Sequence, residues 1–352
     1  MRAADADLAA EVAARVAEAA AQGNALRLVA GDTKAALGRA VQGAPLSLAA
    51  HRGIVDYEPT ELTVTARSGT PLAELETALA DEGQMLAFEP PHFGAGATLG
   101  GTVACGLSGP RRPYAGALRD HVLGAVIVNG RGEVLRFGGR VMKNVAGYDL
   151  ARLMCGAHGT LGVLLELSLK VLPRPAEERT LRRPAGAEEA LELMNQWAGR
   201  PLPLSATCYD GEALSFRLSG APSAVQAAAR RLGGEPVPDA EAYWRGLREQ
   251  THGYFRGGTP LWRLSVPPAT PVLPLEGRWL YEWGGAQRWY RGSASAEQVR
   301  AAALRAGGHA TRWRGAEPFQ PLPTALAALH RRVKAALDPA EILNPGRLYP
   351  DL

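Results

Sequence analysis

This chain of 352 residues has only three cysteines, Cys105, Cys155 and Cys208, and no CxxC pair. Three thiols cannot all pair internally, so a disulfide framework is excluded and a reducing cytosol fits best. They are also too few for an iron–sulfur cluster, which usually takes four thiolates. No apolar run is long enough to span a bilayer. Asp5, Asp7 and Glu11 interrupt the stretch where a signal peptide needs an uncharged core. Lysine is scarce: only four of the 39 basic residues are lysine, in a chain of net charge +4. The arginine pairs Arg111-Arg112, Arg182-Arg183 and Arg331-Arg332 are scattered and lack the interleaved aromatics of a nucleic-acid reader. They read as a solvated surface, with an acidic partner or a membrane surface left open. Seven histidines are dispersed, with no HExxH motif and no GxSxG elbow. Each lone histidine therefore reads as structural, and no metal site is expected.

Glycine is abundant, and it is concentrated. The run from Phe93 to Gly109 is nearly all small residues. Such a run lets bare backbone approach a bulky ligand and offers free N–H groups to phosphate. It is not a Rossmann fingerprint, although Gly94-x-Gly96 and the downstream Asp120 suggest one. That fingerprint follows a strand and opens a helix. Here Glu89-Pro90-Pro91-His92 precedes the glycines, two prolines cannot end a central parallel strand, and the residues after Gly101 show no helical apolar face. A second loop, Gly31-Asp32-Thr33-Lys34, follows the apolar strand Leu26 to Val29. Read alone it is a turn.

The pattern elsewhere is mixed. Leu8, Val12 and Val16 mark an amphipathic helix ending at Gly23. A strand is expected over Leu62 to Ala66. Thr70-Pro71 caps a helix running to about Glu82, with Gly83 as its stop. Val122 to Val128 and Val134 to Phe137 flank the hairpin turn Asn129-Gly130-Arg131-Gly132. Gly162 to Leu172 is strand-like and is stopped by Pro173 and Pro175. Beyond these prolines tryptophan becomes frequent. Helices are expected over Ala187–Trp197, Ser223–Leu232 and Ala296–Ala306. Strands are expected over Ser205–Tyr209, Ala213–Leu218, Leu261–Val266, Trp279–Trp283, Gln287–Arg291 and His309–Arg314. This order suits a small antiparallel sheet with helices on one face. Most of the tryptophans read as core, with some of Trp244, Trp262, Trp279, Trp283, Trp289 and Trp313 expected to form an exposed anchor for a partner. A last helix is expected over Thr324–Leu337.

Taken together, four segments in order resemble the vanillyl-alcohol oxidase (PCMH-type) flavoprotein family. They are Arg27 to Lys34, Ala97-Thr98-Leu99-Gly100-Gly101, Gly156 to Val163 and Asp338 to Arg347. Met142 to Leu150, Leu99 to Pro110, Trp262 to Pro267 and Arg278 to Trp283 narrow the likeness to the FAD-binding E subunits of bacterial glycolate oxidases (glycolate dehydrogenases). The likeness covers most of the chain and is weakest over about 176–260. It implies an α+β fold, with a PCMH-type FAD-binding domain of two α/β subdomains over 1–175. A small α+β cap with an antiparallel sheet covers 176–315, and 316–352 returns to the first domain.

By resemblance the FAD-contacting residues are Val29, Ala30, Gly31, Asp32, Thr33, Lys34, Pro91, Gly96, Ala97, Thr98, Gly100, Gly101, Ser108, Gly159, Gly162, Val163 and Asn344. Many relatives carry a flavin-linked histidine in the first loop. This loop has none, so noncovalent FAD is expected, with His92 the nearest residual candidate for a link. Related 2-hydroxy-acid dehydrogenases hold a metal on clustered histidines and a carboxylate, and that pattern is absent here. Oxidising a hydroxy acid needs a base and a cation for the carboxylate, and nothing in the sequence singles out either. The leading expectation is an FAD-carrying oxidoreductase subunit of a glycolate-oxidising complex. A catalytic flavoprotein subunit and an iron–sulfur subunit would be its partners, in the cytoplasm or at the inner face of the membrane through the complex. A self-sufficient flavin oxidoreductase of a hydroxy acid or sugar alcohol, and a scaffold with little or no FAD, are the alternatives.

Overall fold

In a computed structural model of the chain, residues 5–139, 149–258, 260–315 and 317–352 are described. The motif at Met142 to Tyr148 lies outside them. The first helix, Ala9–Gln22, buries Val12, Val16 and Ala19 and ends at Gly23 in the left-handed conformation. It leads into the strand Leu26–Val29, which pairs in parallel with Ala44–Ser47. Beside this pair stands an antiparallel sheet of five strands, in the order Ile54–Glu58, Thr63–Arg67, Val163–Lys170, Val122–Val128, Val134–Gly138. Its buried side chains, among them Val64, Ile127 and Leu167, pack against the helix Leu72–Asp81. Thr70 does not cap this helix: its hydroxyl holds Gly53, and Pro71 occupies the capping position.

The other sheet has eight strands. It runs Glu235–Pro236, Glu177–Pro184, Ala213–Gly220, Leu204–Tyr209, Arg278–Glu282, Gln287–Arg291, Leu261–Ser265, His309–Trp313, all antiparallel. It is larger than the sequence suggested, because Glu177–Pro184 is charged at most positions and buries only Thr180 and Leu181. Helices also cover both faces rather than one. Ala187–Ala198 and Pro222–Leu232 pack on one side with Phe216 and Tyr281. Ala240–Arg248 packs on the other, where Trp244 and Leu247 meet Cys208, Leu280 and Trp289. That second face also receives Leu37, Phe93 and Leu107 from the first half of the chain.

The two halves are held together by buried charge. The Glu89 carboxylate accepts from Arg111 Nε at 3.2 Å and from Arg217 at 2.7 Å, and Arg111 also pairs with Glu178. Glu249 accepts from the backbone amides of His92 (3.0 Å) and Phe93 (2.8 Å). The expected tryptophan anchor is corrected here. Trp244, Trp262, Trp289 and Trp313 are buried, and Trp279 is half-buried. Trp283, also half-buried, donates to the Gly109 carbonyl at 3.0 Å and stacks under Arg112. These large rings join the chain to itself. Among the described residues no helix is long and apolar enough to cross a membrane.

Candidate functional site

A cleft of about 140 Å³ opens where the parallel strand pair, the glycine run and the C-terminal tail meet. Val29, Ala30, Gly31, Asp32, Thr33, Lys34, Thr98, Gly100, Gly101, Gly159, Gly162 and Asn344 all line it. Five other residues named from sequence lie elsewhere. Gly96 supports Gly31 from behind. Ala97 and Val163 are core. Ser108 accepts the Leu118 amide at 3.0 Å, and with Pro91 it borders a separate small cavity.

The glycine run does open a helix, Leu99–Cys105, contrary to its reading from sequence. Thr98 supplies the N-cap, accepting from the Gly101 amide at 3.2 Å, and Leu99, Thr102 and Val103 make the buried face. Where the run enters the helix its amides are taken: the Leu99 amide goes to the Thr70 carbonyl, the Gly100 amide to the Ser68 carbonyl, and the Gly101 amide to Thr98. In the other loop, which lines the cleft throughout, the amides of Gly31, Asp32, Thr33 and Lys34 have no acceptor among the described residues. Four consecutive open amides make an anion nest. Beside them the buried Lys34 ammonium, its pKa lowered by burial, bonds the His92 carbonyl at 3.1 Å.

The glycines serve mainly to bring protein against protein. A Cβ on Gly31 would overlap the Gly96 carbonyl. One on Gly100 would stand 2.6 Å from Ser68 Cβ, and one on Gly159 2.8 Å from Asn344 Nδ2. Gly101 is the least crowded of these, its Cβ meeting only the Thr98 Oγ1 side chain, at 3.3 Å. Packing, more than a cofactor, therefore explains the glycine density.

The tail closes the cleft through Asn344, whose amide is fully engaged: Oδ1 accepts from the Leu28 amide (2.8 Å) and Nδ2 donates to the His158 carbonyl (2.7 Å). Sequence reasoning missed Arg347, although it directly follows Asn344-Pro345-Gly346. Its guanidinium bonds the Arg39 and Ala35 carbonyls at 2.8 and 3.0 Å and lines the cleft. Cys105 and His158, also missed, line it too. Burial pushes the Cys105 thiol up to about 11, so it stays protonated at neutral pH. His92, the residual candidate for a covalent link, instead faces Glu76 at 3.0 Å and is not part of the cleft wall.

Residues 4–138 match the family model of the FAD binding domain, and 322–348 match that of the C-terminal domain of FAD linked oxidases. Glycolate oxidase subunit GlcE of Escherichia coli is 51% identical over 322 residues, 91% of each chain. The chain belongs to the GlcE family. It is an FAD-linked oxidoreductase, and its cofactor is FAD. Part of it also matches glycolate oxidase subunit GlcD of Bacillus subtilis, 34% identical over 36% of this chain and 27% of the relative. A D-lactate dehydrogenase of Anaerostipes hadrus is 38% identical over 38% of this chain and 28% of the relative. In fold it is similar to an alkyldihydroxyacetonephosphate synthase structure (TM-score 0.66, 16% identity, covering 95% of this chain and 75% of that one).

His158 gives the cleft a measurable pH response. Burial, with Arg347 and Arg263 nearby, lowers its pKa from 6.5 to about 4. As pH falls below 6.5 the unfolded chain takes up this proton first, so stability erodes until about pH 4. The loss from this residue is about 2 kcal/mol at pH 5. His158→Asn keeps a residue tolerant of the positive φ of 52°. Its stability is expected to fall less between pH 7 and pH 5 than that of the wild type in urea titrations. Equal losses would remove His158 from the account.

Proposed function

We propose that this chain is the FAD-carrying subunit of a complex oxidising glycolate, or a 2-hydroxy acid of similar size, and that it holds FAD without a covalent bond. The observation that carries this is the nest of four unpaired amides at Gly31 to Lys34 beside a buried lysine, along one wall of the cleft. These amides, with the Thr33 hydroxyl and Lys34, fit a diphosphate. Thr98, Gly101, Gly159 and Gly162 flank the remainder of the cofactor. Asn344 and Arg347 shape its far wall. Bound FAD supplies the electron acceptor. Residues 1–175 and 316–352 form the cofactor-holding part, and 176–315 the cap.

The relatives named as glycolate oxidase subunits GlcE and GlcD support a multi-subunit assembly. In this reading a second flavoprotein subunit carries most of the substrate oxidation. An iron–sulfur subunit passes electrons on, and the complex works in the cytoplasm or at the inner face of the membrane. The noncovalent link is supported by the lack of histidine in the 31–34 loop and by the protonated state of Cys105.

The test uses the purified chain, alone and co-expressed with the partners. Both preparations should be yellow, and acid precipitation should release all flavin to the supernatant. Glycolate turnover with an artificial acceptor should be low for the chain alone and rise with the partners. Flavin retained in the pellet overturns the noncovalent link. Colourless protein supports the scaffold instead, and robust turnover by the chain alone supports a self-sufficient oxidoreductase.

A further inference from the structure

The face of the eight-stranded sheet that looks toward the first half of the chain carries Arg263 and Glu282 among its aromatic side chains. Arg263 lies opposite Trp289 in the strand register, and Glu282 lies opposite Gln287. Side chains two apart on a strand share a face, so Arg263 and Glu282 flank the same central strand diagonally. Both border a small cavity of about 30 Å³, faced from the other side by Pro91, Phe93 and Leu107. One water needs ~10–15 Å³, so the space suits a molecule of only a few non-hydrogen atoms. Phe93 also lies under Lys34 of the cofactor cleft, and Leu107 follows the helix whose Cys105 lines that cleft. The two spaces are neighbours.

Arg263 is held without a direct ion pair among the described residues. Its guanidinium stacks on Trp313, 4.9 Å from the ring centroid, and Trp313 is fixed by its bond to Gln250 at 2.8 Å. Among the described residues it has no hydrogen-bond acceptor and no carboxylate within 4.0 Å. Burial and the nearby Arg112 lower its pKa to about 10 against the opposing pull of Glu282, which leaves it charged at neutral pH. A partly buried guanidinium with no protein acceptor can turn its donors to a ligand. Glu282 is 3% exposed, and one of its oxygens, Oε2, accepts from Gln287 Nε2 (3.0 Å) and Trp289 Nε1 (2.8 Å). Its other oxygen has no partner among the described residues.

We propose that this cavity binds a small carboxylate, with Arg263 taking the carboxylate and the free oxygen of Glu282 accepting from the hydroxyl of a 2-hydroxy acid. The choice of a hydroxy acid rests on the function proposed above; the unpaired guanidinium in the cavity does not. A planar fork of donors matches a carboxylate in two parallel hydrogen bonds. The residue that the sequence left unidentified among its many arginines is thereby assigned.

Calorimetric titration of the purified full-length chain tests it, with flavin content read by absorbance in the same samples. Glycolate should bind, and glycolamide, of similar size but uncharged, should not. Arg263→Gln should weaken glycolate binding on the order of 10- to 100-fold, with flavin content unchanged. Arg263→Lys keeps the charge without the fork and should fall between. Glu282→Gln should weaken glycolate more than acetate, which lacks the hydroxyl. If Arg263→Gln does not fold, Arg263→Lys and the glycolamide comparison carry the result. Wild-type affinity in the arginine variants, or equal binding of glycolamide, overturns the proposal. A flavin-loaded chain that binds neither acid defeats this pocket and leaves the FAD reading intact. A flavin-free chain that binds glycolate through Arg263 defeats that reading and leaves the pocket standing.

Discussion

Asp338→Ala is expected to cost about 3–5 kcal/mol of stability and to strip the protein of most of its flavin. Asp338 is fully buried and accepts from Lys334 Nζ at 2.7 Å and from the amides of Ile342 (3.2 Å) and Leu343 (2.8 Å). Lys334 in turn donates to the carbonyls of Thr160 and Leu343, each at 2.8 Å. One buried pair thus ties the helix Thr324–Leu337, the loop beside the cleft and the tail together. Without the carboxylate the ammonium is left uncompensated in a dry site, the costly way to break a buried pair. The tail that loosens is the one presenting Asn344 and Arg347 to the cleft. A loss of this size is a large part of a typical folding free energy of ~5–15 kcal/mol. Urea unfolding and the flavin-to-protein absorbance ratio measure both effects. A variant with wild-type stability and full flavin would mean that the tail is held by something else.

Gly31→Ala is expected to abolish flavin binding, and for a reason different from direct obstruction. The added methyl would overlap the Gly96 carbonyl, which is backbone and cannot rotate away. The two loops must part, and the four open amides from Gly31 to Lys34 lose their common direction. Gly101→Ala is the control: its methyl meets only the Thr98 hydroxyl, a side chain that can yield slightly, and a helical alanine is favoured over glycine by ~0.5–1 kcal/mol. It should fold about as well as the wild type. Gly101→Val, with a larger group beside the cleft, should lower flavin content while keeping the fold. Gly100→Val is not a clean probe, because its side chain would strike Ser68 rather than the ligand. Flavin content after gel filtration, with circular dichroism on the same samples, separates these outcomes. Full occupancy in Gly31→Ala would show that the nest lies outside the cofactor site.

Local pattern determined a good deal here by itself. The helix Thr324–Leu337 and the strand Gln287–Arg291 fall where the sequence placed them, and the hairpin around Asn129-Gly130 needs only its turn residues. The ordered set of small-residue segments was enough to expect FAD through its resemblance to the PCMH-type flavoproteins. The strand Glu177–Pro184 and the helix Ala240–Arg248 were not legible. The first is charged and gains its stability from pairing with Ala213–Gly220, and the second has Gly246 inside it. What a missing Cβ is for was also beyond the sequence. Glycine at 31, 96, 100 and 159 makes room for protein, and only the crossing of distant segments reveals what the nearest atom is. Charge behaves the same way. Arg263 looks like every other arginine in the chain until the sheet turns it toward a small cavity, where it meets an indole face but no acceptor among the described residues. The family and the cofactor came from the resemblance of ordered motif segments to known flavoproteins. Which amides stay open, and which cation stays unpaired, was decided by tertiary contacts, because satisfaction of a polar group depends on neighbours far away in the chain.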